Sequence, residues 1–200
     1  MNCCGFWIWE LLILFEVVNL SIQVKFEFVL DDDSVYSDCS DAPPGILNID
    51  AFFDRSNLST IMVPQGIQMS GNITSVFNSQ ASDRVEMTAS LLHYERGFWQ
   101  PTTLNIKVKD FCAVMYDEKQ LWYKPWSSHI TNRKEIEDKC FSFGTVYVME
   151  NYTMELGFGS GIPLPVGRYS VRVEVYSIDK SEQRRPHGIC YELIGNFYKI

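Results

Sequence analysis

Over much of the chain apolar and polar residues alternate one by one, the spacing of strands that bury one face and wet the other. Within residues 168–178, Tyr169, Val171, Val173 and Val175 alternate with Arg168, Ser170, Arg172 and Glu174. Within residues 84–91, Val85, Met87, Ala89 and Leu91 alternate with Arg84, Glu86, Thr88 and Ser90. Leu104, Ile106 and Val108 do the same with Asn105, Lys107 and Lys109. Further strands are predicted over residues 24–30, 46–53, 60–63, 67–73, 145–149 and 189–198. Turn signals separate them, among them Ala42-Pro43-Pro44-Gly45, Pro64-Gln65-Gly66, Pro165-Val166-Gly167 and Pro186-His187-Gly188. Many strands with one polar face and short turns predict an all-β fold, a two-sheet antiparallel sandwich or cup.

Two stretches break the alternation. Residues 117–139 carry Trp122, Pro125 and Trp126 and then a charged run, which predicts a long central loop or a short helix. At the start, residues 6–22 read FWIWELLILFEVVNLSI. That run is short for a bilayer span of about 20 apolar residues, and Glu10 and Glu16 would be costly at membrane depth. The apolar segment 11–18 has the length of an export-signal core, so residues 1–22 are expected to be a cleaved signal peptide. Residues 23–200 then form a single domain, with no internal repeat, linker or low-complexity tract.

Composition narrows the function. Hydrophobic residues make up 46% of the 200, which suffices for a folded core. The net charge of −8 repels phosphate backbones and anionic headgroups, so nucleic acid is not an expected partner. Once Cys3 and Cys4 leave with the signal, Cys39, Cys112, Cys140 and Cys190 remain. They are even in number and contain no CxxC pair, which reads as a disulfide framework with three possible connectivities. Three N-glycosylation sequons lie downstream of the signal: Asn57-Leu58-Ser59, Asn72-Ile73-Thr74 and Asn151-Tyr152-Thr153. Signal, cysteines and sequons together predict secretion.

Signatures of enzyme chemistry do not assemble. Gly157-Phe158-Gly159-Ser160-Gly161 has Phe158 where a nucleophile elbow needs glycine, and it matches neither a Walker loop nor a dinucleotide fingerprint. A flexible hairpin connection is the expectation there. His93, His129 and His187 are far apart and form no ligand-spaced pair, so neither a metal nor a cofactor is expected. Asp31-Asp32-Asp33 with Asp38 and Asp41 lacks the glycine and glutamate of an EF-hand loop and reads as a solvated turn. The aromatic residues are more informative. Phe98, Trp99, Trp122, Tyr123 and Trp126 lie in or beside predicted loops. There they either fill the core or rim the mouth of an apolar cavity between two sheets.

The segment PVGRYSVRVEVYS through HGIC, from Pro165 to Cys190, resembles the ganglioside-activator protein and the wider lipid-recognition β-cup group. Within that group the chain looks most like the insect chemosensory proteins called CheA and CheB. Weaker likenesses are SDCSDAP around Cys39, MSGNITS around Asn72, DFC at Cys112 and KCFSFGTVYV after Cys140. The resemblance implies the pairing Cys39–Cys190 and Cys112–Cys140. It also implies an apolar cavity between two sheets that takes up acyl chains, and, for the insect branch, a role in contact-pheromone perception. The ganglioside activator has additional central cysteines that this chain lacks, so the central loop departs from that pattern.

The function expected from all of this is non-covalent. A secreted protein would carry or present a lipid, cuticular hydrocarbon or pheromone, and would not be an enzyme. The strand faces Tyr169/Val171/Val173/Val175 and Leu104/Ile106/Val108 are expected to oppose each other across the cavity, with Trp99, Trp122 and Trp126 at its mouth. Two alternatives come from other classes: an extracellular accessory subunit of a membrane receptor or channel, and an activator that extracts lipid for a hydrolase.

Overall fold

Eleven strands are present among the described residues of the computed structural model, which are 24–80, 82–160 and 164–200. The predicted signal peptide, with Cys3 and Cys4, lies outside them. In chain order the strands are β1 (Val24–Leu30), β2 (Ser37–Asp38), β3 (Phe53–Asp54), β4 (Leu58–Val63), β5 (Gly66–Ser75), β6 (Arg84–Glu95), β7 (Phe98–Val108), β8 (Val146–Met154), β9 (Gly157–Ser160), β10 (Gly167–Ile178) and β11 (Ile189–Lys199). Two one-turn helices, α1 (Phe111–Val114) and α2 (Arg133–Ile136), lie in the central segment.

The strands form two antiparallel sheets, an all-β sandwich. The larger has the order β7-β6-β10-β11-β1-β9, with β2 continuing β1 along the flank of β11. In the smaller, β5 is central, flanked by β8 on one side and by β4 and then β3 on the other. The alternation read from the sequence sets the burial. Phe26, Phe28 and Leu30 of β1 point into the sandwich, and Ile67, Met69 and Ile73 of β5 meet them from the other sheet. Both disulfides have the expected pairing. Cys39–Cys190 fastens the chain before the first long hairpin to the last strand, and Cys112–Cys140 closes the central segment.

Aromatic packing explains how a segment without alternation is held. Phe111 and Phe141, next in sequence to the two cysteines of the central bridge, stack with centroids 5.4 Å apart. Phe52 lies 4.7 Å from Phe141, and Trp126 lies 6.0 Å from Tyr147. The Tyr147 hydroxyl donates to the backbone oxygen of Cys140. Tyr147 is fully buried, and the cluster extends the single hydrophobic core of the sandwich into the central segment.

Two expectations need correction. Residues 46–53 do not form a strand. Leu47 makes one isolated parallel bridge to Ile189, and residues 49–51 then turn in a 3-10 helix in which the Asn48 side chain accepts the Asp50 N–H. The Pro43-Pro44-Gly45 turn and the Asn48 cap outweigh the apolar run, and only Phe53–Asp54 pairs. Residues 157–160 are not a loose connection. They add β9 as an edge strand along β1, Val24 opposite Ser160 and Glu27 opposite Gly157, because that flank of β1 otherwise leaves its backbone groups unpaired.

Candidate ligand-binding face

The inner face of the larger sheet is built from three cross-strand rows. Side chains opposite one another in a ladder point to the same side. Ile189–Val175–Met87–Val108 form one row and Tyr191–Val173–Ala89–Ile106 the next. Leu193–Val171–Leu91 form the third, beyond which Leu104 continues the apolar face of β7. Twelve apolar or aromatic side chains thus tile four adjacent strands, and none of them carries a charge at neutral pH. Burial pushes the Tyr191 phenol well above its ordinary pKa, which keeps it neutral.

Cover over the rows is uneven, with Leu91 of β6 buried but Tyr191 and Leu193 of β11 half-buried. Val173 is 7% and Val175 2% exposed, and Ile189 is equally enclosed. Toward β6 and β7 the same rows emerge: Met87, Ala89, Leu104, Ile106, Val108 and Val171 are half-buried although they point to the inner side. The cause is the mismatch between the sheets. The smaller has four strands and the larger seven, so the smaller cannot cover the larger over its full width.

The sequence-predicted site residues are brought together in part. Tyr169, Val171, Val173 and Val175 do share a face with Leu104, Ile106 and Val108, but the two sets do not oppose each other. β7 and β10 belong to one sheet, with β6 between them, so the sets lie side by side. Tyr169 is a packing anchor rather than a lining residue. It is fully buried, stacks on His93 at 4.5 Å, and its hydroxyl donates to the Pro165 backbone oxygen at 2.7 Å.

The three tryptophans separate. Trp99 is not in a loop but in β7, opposite Tyr94 on the outer side of the sheet, with Arg168 packed over both rings. The hairpin turns in two residues, Arg96 and Gly97, both at positive φ, which leaves Trp99 no mouth to guard. Trp122 and Trp126 belong to the aromatic cluster, Trp122 at 4.8 Å from Phe111 and donating its indole N–H to Met115. Phe111 follows Val108 by three residues, so this cluster begins where β7 ends. Met87 and Ala89 of β6 complete the face. Their alternation was the available signal, but periodicity does not say which strand lies beside which.

The best-formed hollows among the described residues lie elsewhere. One, of about 350 Å³, is a polar depression beside the Cys112–Cys140 bridge, between Tyr116, Asp117, Arg133 and Glu137. The other is a slot of about 60 Å³ between β1 and the β4–β5 turn, lined by Phe28, Leu30, Met62, Ile67 and Met154. Neither is the wide chamber of a cup.

The remaining candidates for chemistry have structural partners. His93 stacks on Tyr169, His129 on Tyr152 at 3.6 Å with Glu150 on its Nδ1, and His187 lies against the Gly45 carbonyl. Asp31 pairs with Arg168, and Asp32 caps its own turn through Ser34. No group of three or more His, Cys, Asp and Glu side chains that could hold a metal occurs among the described residues. Nor, among them, is any helix long and apolar enough to cross a membrane.

These features define a class: a two-sheet β-sandwich with two disulfides and a half-open apolar inner face. Compared with protein-family models and with curated proteins, the chain matches none.

Proposed function

We propose that the protein is an extracellular, glycosylated binding protein for a hydrophobic molecule such as a lipid or cuticular hydrocarbon. One observation carries the reading: the apolar rows of the larger sheet continue past the cover of the smaller one. A ligand laid on Met87, Ala89, Leu104, Ile106, Val108 and Val171 would finish the burial that the protein leaves incomplete. Each CH₂ so buried contributes roughly 0.8 kcal/mol, so an acyl chain is held without any specific polar contact. Two disulfides favour an oxidising compartment. The chemosensory setting rests on the sequence resemblance alone.

Native mass spectrometry of the protein secreted from insect cells tests this. An apolar adduct that leaves on collisional activation is expected; a bare protein from lipid-rich medium contradicts it. A second reading, an accessory subunit docking to a membrane receptor through its surface, is favoured by the tightly filled interior beneath the smaller sheet. It predicts no adduct.

A further inference from the structure

The three sequon asparagines, distant in sequence, converge on the outer side of the smaller sheet. Asn72 is on the central strand β5 and faces outward, directly opposite Val148 of β8. Asn57 lies in the turn before β4, and its backbone oxygen accepts the N–H of Asn72 at 2.9 Å. Gly71 makes this approach possible. Its φ is +111°, and a Cβ there would strike the Asn57 carbonyl. Asn151 lies in the bulge of β8, where two residues, 150 and 151, oppose the single Ser70 of β5. Its Oδ1 accepts from Gln68 at 2.9 Å, which leaves its amide nitrogen unengaged. Asn57 and Asn151 are exposed and Asn72 is half-buried.

The same surface is unusually apolar for an outer sheet face. Ile61 is 54%, Val146 38% and Val148 36% exposed. Each has a sequon at its side. Val148 is opposite Asn72, Val146 opposite the sequon residue Thr74, and Ile61 opposite Gln68, the partner of Asn151. The outer side of the larger sheet also exposes Val29, Tyr94 and Tyr198, but it carries ion pairs such as Arg172–Glu192 and Arg184–Glu86 among them.

We infer that the outer face of the smaller sheet is a glycan-covered face, and that sugars on Asn57, Asn72 and Asn151 shield Ile61, Val146 and Val148 from self-association. This rests on the extracellular reading above. At each site the amide nitrogen loses a proton and bonds to the anomeric carbon of the first sugar. The diphosphate of a lipid-linked oligosaccharide donor is the leaving group. An exposed β-branched sheet face without such cover is a predicted association surface.

The full chain expressed in insect cells is the test, read by intact mass and by size-exclusion chromatography. Expected are sugar on all three asparagines and a monomer. The Asn57→Gln/Asn72→Gln/Asn151→Gln variant should elute as dimer or larger, and adding Ile61→Thr, Val146→Thr and Val148→Thr should restore the monomer. Trimming the folded wild type with an endoglycosidase should cause the same association without passing through folding. A disulfide-bonded product free of sugar, or a trimmed protein that stays monomeric, overturns the inference and leaves the extracellular reading intact. A cytosolic product with free thiols overturns both.

Discussion

The two ends of the larger sheet's inner face have the same chemistry and opposite fates. In β10 and β11, Val173, Val175 and Ile189 are buried in the core cluster that also holds Phe28, Ile67 and Met69. In β6 and β7, Ala89, Ile106 and Val108 are the same kind of side chain in the same rows, yet only half-buried. What differs is only whether a second sheet lies above them. The last residues of these rows pack against the core with part of their surface and leave the rest uncovered. That surplus is where a ligand can add stability without displacing packing the fold needs.

Truncations should expose this contrast most strongly. Phe141 is 4% exposed and touches Phe52, Phe53 and Phe111, so Phe141→Ala is expected to cost about 3–5 kcal/mol. Denaturant titration checks it, and a loss no larger than that of Ile106→Ala would undo the division into closed and open regions. Overpacking comes next. Val173→Trp adds volume to a closed position and should cost about 1–3 kcal/mol. If its midpoint in urea is unchanged, the closed end contains space that the packing does not reveal.

A smaller effect lies on the wet side of the same strands. Burial raises the Glu86 carboxyl, but hydrogen bonds and charge from Arg184 and Lys107 more than offset it, leaving its pKa below the ordinary carboxylate value. A lowered folded-state pKa stabilises above the unfolded pKa and loses that contribution as pH falls through the folded one. Arg184→Ala should therefore cost about 1 kcal/mol near neutrality and less below about pH 4. The part due to Arg184 stacking over Tyr176 at 4.1 Å will not titrate. A melting-temperature deficit that stays constant from neutral to acid pH would show that the ion pair adds nothing. Smallest of all should be Ile106→Ala, about 1 kcal/mol or less, because its side chain is only partly enclosed and its truncation leaves no closed cavity.

How much of this was legible beforehand follows from what alternation encodes. It fixed which residues of β6, β7 and β10 share a side, and those sides are as expected. It carries no record of neighbour order, so β7 and β10 were expected on opposing sheets and are on one. The pairing of β6 with β10 joins residues far apart in the chain, Val171 to Leu91 among them, with no local signal. The β6–β7 hairpin was obscured because Arg96-Gly97 lacks the Asn-Gly or Asp-Gly pair that marks a two-residue turn. Trp99 was therefore expected in a loop. β9 was missed because its glycines have low strand propensity and it exists only as the partner of β1. Nothing in the spacing of the four cysteines chose their pairing; the resemblance did.

The half-open face is tested most directly by a fluorescent fatty-acid probe, titrated into wild type, Ile106→Trp and Asn105→Trp. The two substitutions place the same indole at adjacent residues of β7, one on the inner face and one on the outer. Wild type and Asn105→Trp are expected to bind the probe alike, and Ile106→Trp to bind it at least about tenfold more weakly, a loss of about 1.4 kcal/mol. Wild type that leaves the probe in solution, or equal binding by both variants, would contradict a ligand site on this face.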